Sequence, residues 1–492
     1  LLDCVVWLGL VVLVLFTISR HEPCSDEAQA WLLARDCGWI RLVFHELRYE
    51  GNPGLWHTIL WIAIHLFHLS YAAIGYVGGA IALAGLAVIV FCAPFPRVLR
   101  YPIATSFFFV YQYAVVARPY ELLPLLAFGS AILFREGTRR VISFAVALSL
   151  LTFVSLHGAV IAIALAVAFA VRVRPLWSGF DRNLRKRVIT ASTILCLTLL
   201  VSVLILFPPH TTTSGLSQAQ AFSFSTHYVK MLRVVFDALS EIRLASVVIL
   251  SLVTLWLLER RGVLLFLIAV GGTAFIFGFL WGTPNHEGII LIALLTAIWS
   301  VWPTMTELKA APENLLNLHK AMIIALSLMF VWQSYWSVVA IRNDWRWVYS
   351  GAKDAALYLK SVHAETAGCR AYGYHFVGVQ PYFDHNIFAN LGGPGAPAYY
   401  HNAVDFDQSV AGFSAFKNRG TNPPCLLIAA GLYPNQSADE FLHSIGAQEY
   451  ELVHTSEGSI FFKDYVEERQ IYWFFVRRPS VTEILEQKKA QQ

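Results

Sequence analysis

Charge is what this chain has least of. Only 14% of its 492 residues are Asp, Glu, Lys or Arg, against 57% hydrophobic. A soluble domain carries about 25% charged residues, so a water-soluble globule is excluded and a polytopic membrane protein is expected. The net charge of +4 is too small for a nucleic-acid binder. There is no glycine-rich phosphate loop, no internal repeat, and no metal-ligand spacing among the 7 cysteines. Cys24 and Cys37 share one loop, and Cys369 and Cys425 share the C-terminal region. Each pair could form a disulfide in an oxidising compartment or stay as buried thiols. The first apolar run has no small-residue cleavage site, so it reads as a span and not a removed leader.

What is abundant is apolar sequence in long runs. They lie near 1–19, 55–69, 72–94, 102–117, 120–134, 141–156, 158–171, 188–207, 244–258, 262–281, 286–302 and 320–340. At roughly 20 residues per crossing this predicts about 11–13 spans. One set of loops is rich in basic residues: Arg97 and Arg100, Arg135 to Arg140, Arg172 to Lys186 and Arg187, Arg260 and Arg261, Lys309 and Lys320. The alternate set holds Arg118, Lys230, Arg233 and Arg243. The positive-inside rule places the first set in the cytoplasm. Asp26, Arg118, His157, the 208–243 loop and everything after 341 then face out. Twelve full crossings cannot satisfy both ends, so the 55–69 stretch, with His57, His65 and His68, is expected not to cross fully.

Two domains are expected: a membrane domain, 1–341, whose outer loop 20–54 carries polar chemistry, and a soluble α/β domain, 342–492. In the second, Ser350 to Lys360 reads as a capped helix, Cys425 to Ala429 as a buried strand and Ala438 to Ile445 as a helix. Residues 450–463 read as a hairpin turning at Glu457-Gly458. The polar run Pro208 to Gly215 reads as a flexible loop, followed by an interfacial helix from Val229 to Leu239.

Asp26 and Glu27 follow the first span directly. Ser25 suits an N-cap and acids suit the first helical turn, so local physics alone accounts for the pair. Their place at a membrane face, followed by Trp31, Arg35, Trp39 and Arg41, points further: ionisable groups there need a reason. A carboxylate at the interface is suited to accept a proton from an acceptor hydroxyl or amine. Arg118 and Tyr120, at the outer ends of two runs, suit phosphate, with interfacial snorkelling as the plainer account of Arg118. Glu121 could pair with Arg118, His157 reads as a satisfied helix-end histidine, and His286 sits with Glu287 in a tight outer turn.

The run His21-Glu22-Pro23-Cys24-Ser25-Asp26-Glu27-Ala28-Gln29-Ala30-Trp31, the later Glu50-Gly51-Asn52-Pro53-Gly54-Leu55-Trp56, and many spans ending in an outer domain resemble the GT-C superfamily of membrane glycosyltransferases. Within it the likeness is to bacterial relatives of the dolichyl-phosphate-mannose protein mannosyltransferases. The sequence-specific likeness lies in residues 21–57. It implies a mainly α, GT-C-type helix bundle in a bacterial inner membrane with a periplasmic active site. It also implies a polyprenyl-phosphate sugar donor and a glycan, lipid or protein acceptor. By the same likeness Asp26 is the general base, supported by Glu27. Asn52 stands where relatives carry a basic residue near the donor phosphate, which leaves that contact to His57, Arg118, Tyr120 or His286. A divalent metal is left open. The rival expectations are a flippase of polyprenyl-linked sugars and a non-catalytic envelope scaffold.

Overall fold

The computed structural model describes residues 1–207, 224–279, 283–400, 423–429 and 437–479. The run Pro208 to Gly215 and Gly282 lie outside them. The chain is mainly helical, with a small mixed four-stranded sheet near its C-terminus. It divides into two compact units. Unit 1 comprises Leu1–Arg20, Trp39–Asn343 and Phe462–Asp464, and unit 2 comprises His21–Gly38, Asp344–Phe461 and Tyr465–Gln492. The break expected at 341/342 falls at Asn343/Asp344. The segment His21–Gly38, expected in the membrane domain, groups with the C-terminal residues.

Unit 1 contains α1 (Leu2–Ile18), α3 (Trp39–Phe44), α4 (Leu55–His65), α5 (Ile74–Ala87), α6 (Arg97–Thr105), α7 (Leu122–Arg135), α8 (Val141–Thr152), α9 (Leu156–Val173) and α10 (Arg182–Leu206). It continues with α11 (Phe224–Leu239), α12 (Arg243–Glu259), α13 (Val263–Phe266), α14 (Gly272–Phe279), α15 (Gly288–Ser300), α16 (Met305–Ala310) and most of α17 (Glu313–Arg346). Helix α15 is apolar all round and every one of its residues is buried, as a helix at the centre of a bundle should be. Helix α10 is its opposite. Leu197, Leu200, Val203 and Leu204 stand exposed along it, a pattern water does not tolerate and lipid does.

Among the described residues, four helical segments are long and apolar enough to cross a membrane: Tyr71–Cys92, Leu156–Gly179, Arg182–Leu206 and Glu313–Arg346. A fifth is a pair, His227–Leu239 and Arg243–Glu259, bent by 88°. These helices are compatible with a membrane protein, but they are fewer than the 11–13 spans expected. The apolar runs are there, but the helices within them break early. Helices α7, α8 and α15 have 14, 12 and 13 residues and rise only about 18–21 Å, against about 30 Å of hydrocarbon. The 102–117 run is interrupted after Thr105 and again by a π-turn at Phe108–Gln112. Helix α4, in the run expected not to cross, has 11 residues.

Unit 2 contains α2 (Ser25–Asp36), α18 (Ala352–Ser361), α19 (Ala438–Ser444) and strands β1 (Arg370–Tyr372), β2 (Cys425–Ala429), β3 (Tyr450–Phe462) and β4 (Tyr465–Arg477). The sheet order is β1-β2-β4-β3. Strand β1 runs parallel to β2, with Ala371 opposite Leu427, and β2 antiparallel to β4, with Leu427 opposite Phe474. Leu426, Ile428, Trp473 and Phe475 pack on Phe441 and Leu442 of α19. On the other face Phe474 meets Tyr358 of α18 edge-on. Helices on both faces explain why all of β2 is buried. Cys369 and Cys425, at the starts of β1 and β2, form a disulfide, whereas Cys24 and Cys37 are buried thiols.

The hairpin turns at Lys463-Asp464 and not at Glu457-Gly458. Strand β3 runs straight through Gly458, whose missing Cβ would lie 2.2 Å from the Ser350 carbonyl carbon. That glycine serves a close backbone approach, while Lys463 adopts the left-handed turn conformation at φ 58°. The cap of α18 also differs from expectation. Gly351 holds the N-cap position, the Ser350 hydroxyl donates to Gln470, and the Glu22 carboxylate accepts the Lys353 N–H at 2.8 Å. Burial pushes the Glu22 carboxyl up from its ordinary range.

Candidate functional site

In unit 2, the loop after α1 enters α2 through Cys24, in extended conformation at the N-cap. Ser25, expected as the cap, is the first helical residue. The box closes with Glu27, whose carboxylate accepts the Cys24 N–H at 2.8 Å. Glu27 is fully buried. Its second neighbour is His21 Nε2 at 3.5 Å, and His21 Nδ1 lies 3.0 Å from Asp344 Oδ2. The imidazole rests on the Tyr349 ring at 4.4 Å. Burial alone would lower the His21 pKa, but the Asp344 and Glu27 carboxylates outweigh it and raise it to about 10. A buried imidazolium between two carboxylates therefore ties His21–Glu27 to Asp344 at neutral pH.

Asp26 is one residue away and its fate is different. A step of one residue turns a helix by about 100°, which takes the Asp26 side chain out to solvent. Its Oδ1 accepts a hydrogen bond from the Tyr374 hydroxyl at 3.1 Å. Tyr374 packs edge-on against Tyr400 at 5.2 Å. Tyr400 is itself fixed by Gln29, which exchanges two 2.8 Å bonds with its main chain. The carboxylate is thus exposed on one side and braced on the other.

Ser25 Oγ lies 2.9 Å from His375 Nδ1, and His375 Nε2 lies 2.7 Å from Glu468. The Ser25–His375–Glu468 arrangement has the order of a serine nucleophile with its base, but Ser25 is completely buried and no substrate atom could reach it. Gln470 also approaches His375 Nδ1, at 3.2 Å. The chain positions α2 within unit 2. His21, Asp344, His375 and Tyr374 carry no local signal of these roles. His21 and Asp344 are 323 residues apart, and nothing in either neighbourhood names the other.

In unit 1, Tyr120 and His286 come together. His286 Nδ1 accepts from the Thr283 N–H at 3.3 Å and lies 2.7 Å from its hydroxyl, closing a second capping box. Nε2 therefore carries the proton and donates to the Tyr120 hydroxyl at 2.8 Å. The ring is wholly buried, so His286 is a neutral imidazole with both nitrogens engaged. His157 stacks on Phe277 beside it, 6.3 Å from the His286 ring. Arg118, partly buried, sits in extended backbone just before Pro119-Tyr120-Glu121. The Glu121 carboxylate occupies the space over Gly78, where a Cβ would meet it at 2.0 Å. Asn52 bonds locally, donating to the Glu50 carbonyl. His57 is buried in the first turn of α4, with no partner for its Nδ1.

Among the described residues no group of three or more His, Cys, Asp or Glu has the geometry to hold a metal ion. No family model matches the chain, and no curated protein matches it.

Proposed function

We propose that this chain is a membrane glycosyltransferase of GT-C type, acting with a polyprenyl-phosphate sugar donor on a glycan, lipid or protein acceptor, with Asp26 as the general base. The observation that carries the reading is the pair of fates at Asp26 and Glu27: one carboxylate solvent-exposed and braced by Tyr374, the next buried and committed to structure. In the proposed reaction an Asp26 oxygen takes the proton of the acceptor hydroxyl or amine. The freed lone pair attacks the anomeric carbon, and the bond from that carbon to the phosphate oxygen breaks. The phosphate leaves with the electron pair, and the anomeric configuration inverts. Glu27 supports the base by fixing the start of α2. Arg118 is the proposed phosphate contact in unit 1, because a guanidinium keeps its charge and can grip two oxygens.

Placement of Asp26 in the periplasm of a bacterial inner membrane is part of the same proposal. It is supported by the loop-charge asymmetry and by the Cys369–Cys425 disulfide, which suits an oxidising compartment. The test is a transfer assay with the full chain in vesicles carrying polyprenyl-phosphate donors with labelled sugars. Label moving onto an acceptor supports the proposal. Label that crosses the bilayer while still lipid-linked would mean a flippase instead.

A further inference from the structure

Unit 1 holds a cavity of about 630 Å³ at the C-terminal ends of α7, α9, α12 and α15, within the size range of small-ligand sites. Four arginines line it: Arg135, Arg172, Arg260 and Arg261. One carboxylate, Glu307, joins them. The plain account is that arginines cap helix C-termini, and part of the cluster does so. Arg135 donates to the Trp299 and Trp302 carbonyls, Arg172 to that of Phe134, and Arg260 to that of Val301. Arg260 also pairs with Glu307 at 3.2 Å.

Capping does not exhaust these groups. A guanidinium has five N–H groups to donate, and each of these arginines uses only one or two of them in the bonds above. Glu307 and the C-terminal ends of four helices offset part of the four arginines, while the helix N-termini at Gly262 and Thr304 add to them, so the site stays positive. Arg172 and Arg261 stand exposed at the cavity. The remaining wall is apolar, with Phe134, Leu265 and Trp302 buried, and Val171 and Leu264 exposed at the rim. A positive site with an apolar exit suits an anionic phosphodiester that carries hydrocarbon. Basic pockets between membrane helices on the cytoplasmic side recognise such head groups, and these arginines belong to the loops whose charge marks that side.

We propose that this cavity binds the phosphodiester head group of an anionic membrane lipid, with the acyl chains leaving over Val171 and Leu264. The proposal does not rest on the glycosyltransferase reading. The test is native mass spectrometry of the full chain in neutral detergent, titrated with phosphatidylglycerol, phosphatidylcholine or inorganic phosphate. Phosphatidylglycerol should bind at least tenfold more tightly than phosphatidylcholine. The exposed arginines can be changed without removing the helix-capping bonds of Arg135. Arg172→Gln with Arg261→Gln should weaken phosphatidylglycerol binding by roughly tenfold or more, at about fivefold for each arginine near a lipid head group, and the Lys pair should keep most of it. Equal binding of the two lipids, or an unchanged double Gln variant, overturns the proposal. Displacement of phosphatidylglycerol by millimolar inorganic phosphate overturns it in favour of a free-phosphate site.

Discussion

Cys24 to Glu27 in unit 2 and Thr283 to His286 in unit 1 use the same local device, a side chain at the third helical position bonded back to the N-cap N–H. In the first, the box buries Glu27 and turns its neighbour Asp26 to solvent. In the second, it buries His286 against Tyr120, and Glu287, which follows, is buried too. Asp-Glu and His-Glu are similar pairs of polar residues in the sequence, yet only one leaves a carboxylate where a substrate could meet it. A polar motif at a helix start becomes a reactive group only when the helix face it lands on is open.

The comparison breaks first if Glu27 is not structural. Glu27→Ala leaves the Cys24 N–H without its acceptor and His21⁺ with one carboxylate in place of two. Removing one member of a buried charged network costs about 3–5 kcal/mol. A large fall in the melting temperature of the variant is expected, and a value within a degree or two of wild type would mean that the network does not hold α2 in place.

A smaller effect appears with pH. The folded-state pKa of His21 lies at about 10, above its ordinary 6.5. Its stabilising contribution is fully present below pH 6.5 and is lost as pH rises towards 10. Melting temperature should therefore fall between pH 7 and pH 10 more steeply for wild type than for His21→Gln. Parallel slopes would remove the imidazolium from the account.

The smallest effect is expected at the other box. Tyr120→Phe removes the hydroxyl that accepts from His286 Nε2 and leaves a buried donor without that partner, a loss of about 1–3 kcal/mol. Because His286 is neutral, this loss should be flat from pH 5 to pH 8. A loss that grows as pH falls would show that His286 is cationic after all.

Part of this was legible in the sequence. The unbroken apolar run of β2 is a local pattern with one good solution, and β2 formed where expected, as did α19 to within one residue of the expected Ile445 end. The start of α2 was legible to within one residue. Ser25 was the better cap by residue type, but its hydroxyl is taken by His375, 350 residues away. The turn lies at Lys463-Asp464 and not at Glu457-Gly458, because a glycine needed for close packing looks the same in sequence as a glycine needed for positive φ. Among the described residues only four or five helical segments are long enough to match the 11–13 expected spans, for a related reason. Hydropathy reports where the apolar runs are, and not that a helix such as α6 stops at Thr105 inside one of them. Which of Asp26 and Glu27 would be buried was beyond the sequence, since either suits a first helical turn.

The most direct test sets the two carboxylates side by side: Asp26→Asn and Glu27→Gln, each measured for melting temperature and for sugar transfer from a labelled polyprenyl-phosphate donor. Asp26→Asn should melt close to wild type, since the side chain is exposed and so is its bond to Tyr374, and should lose about 10²–10⁴-fold in transfer, the usual contribution of a general base. Glu27→Gln should melt lower and lose transfer only as far as α2 is disturbed. An Asp26→Asn protein that keeps more than half the wild-type rate would contradict the account.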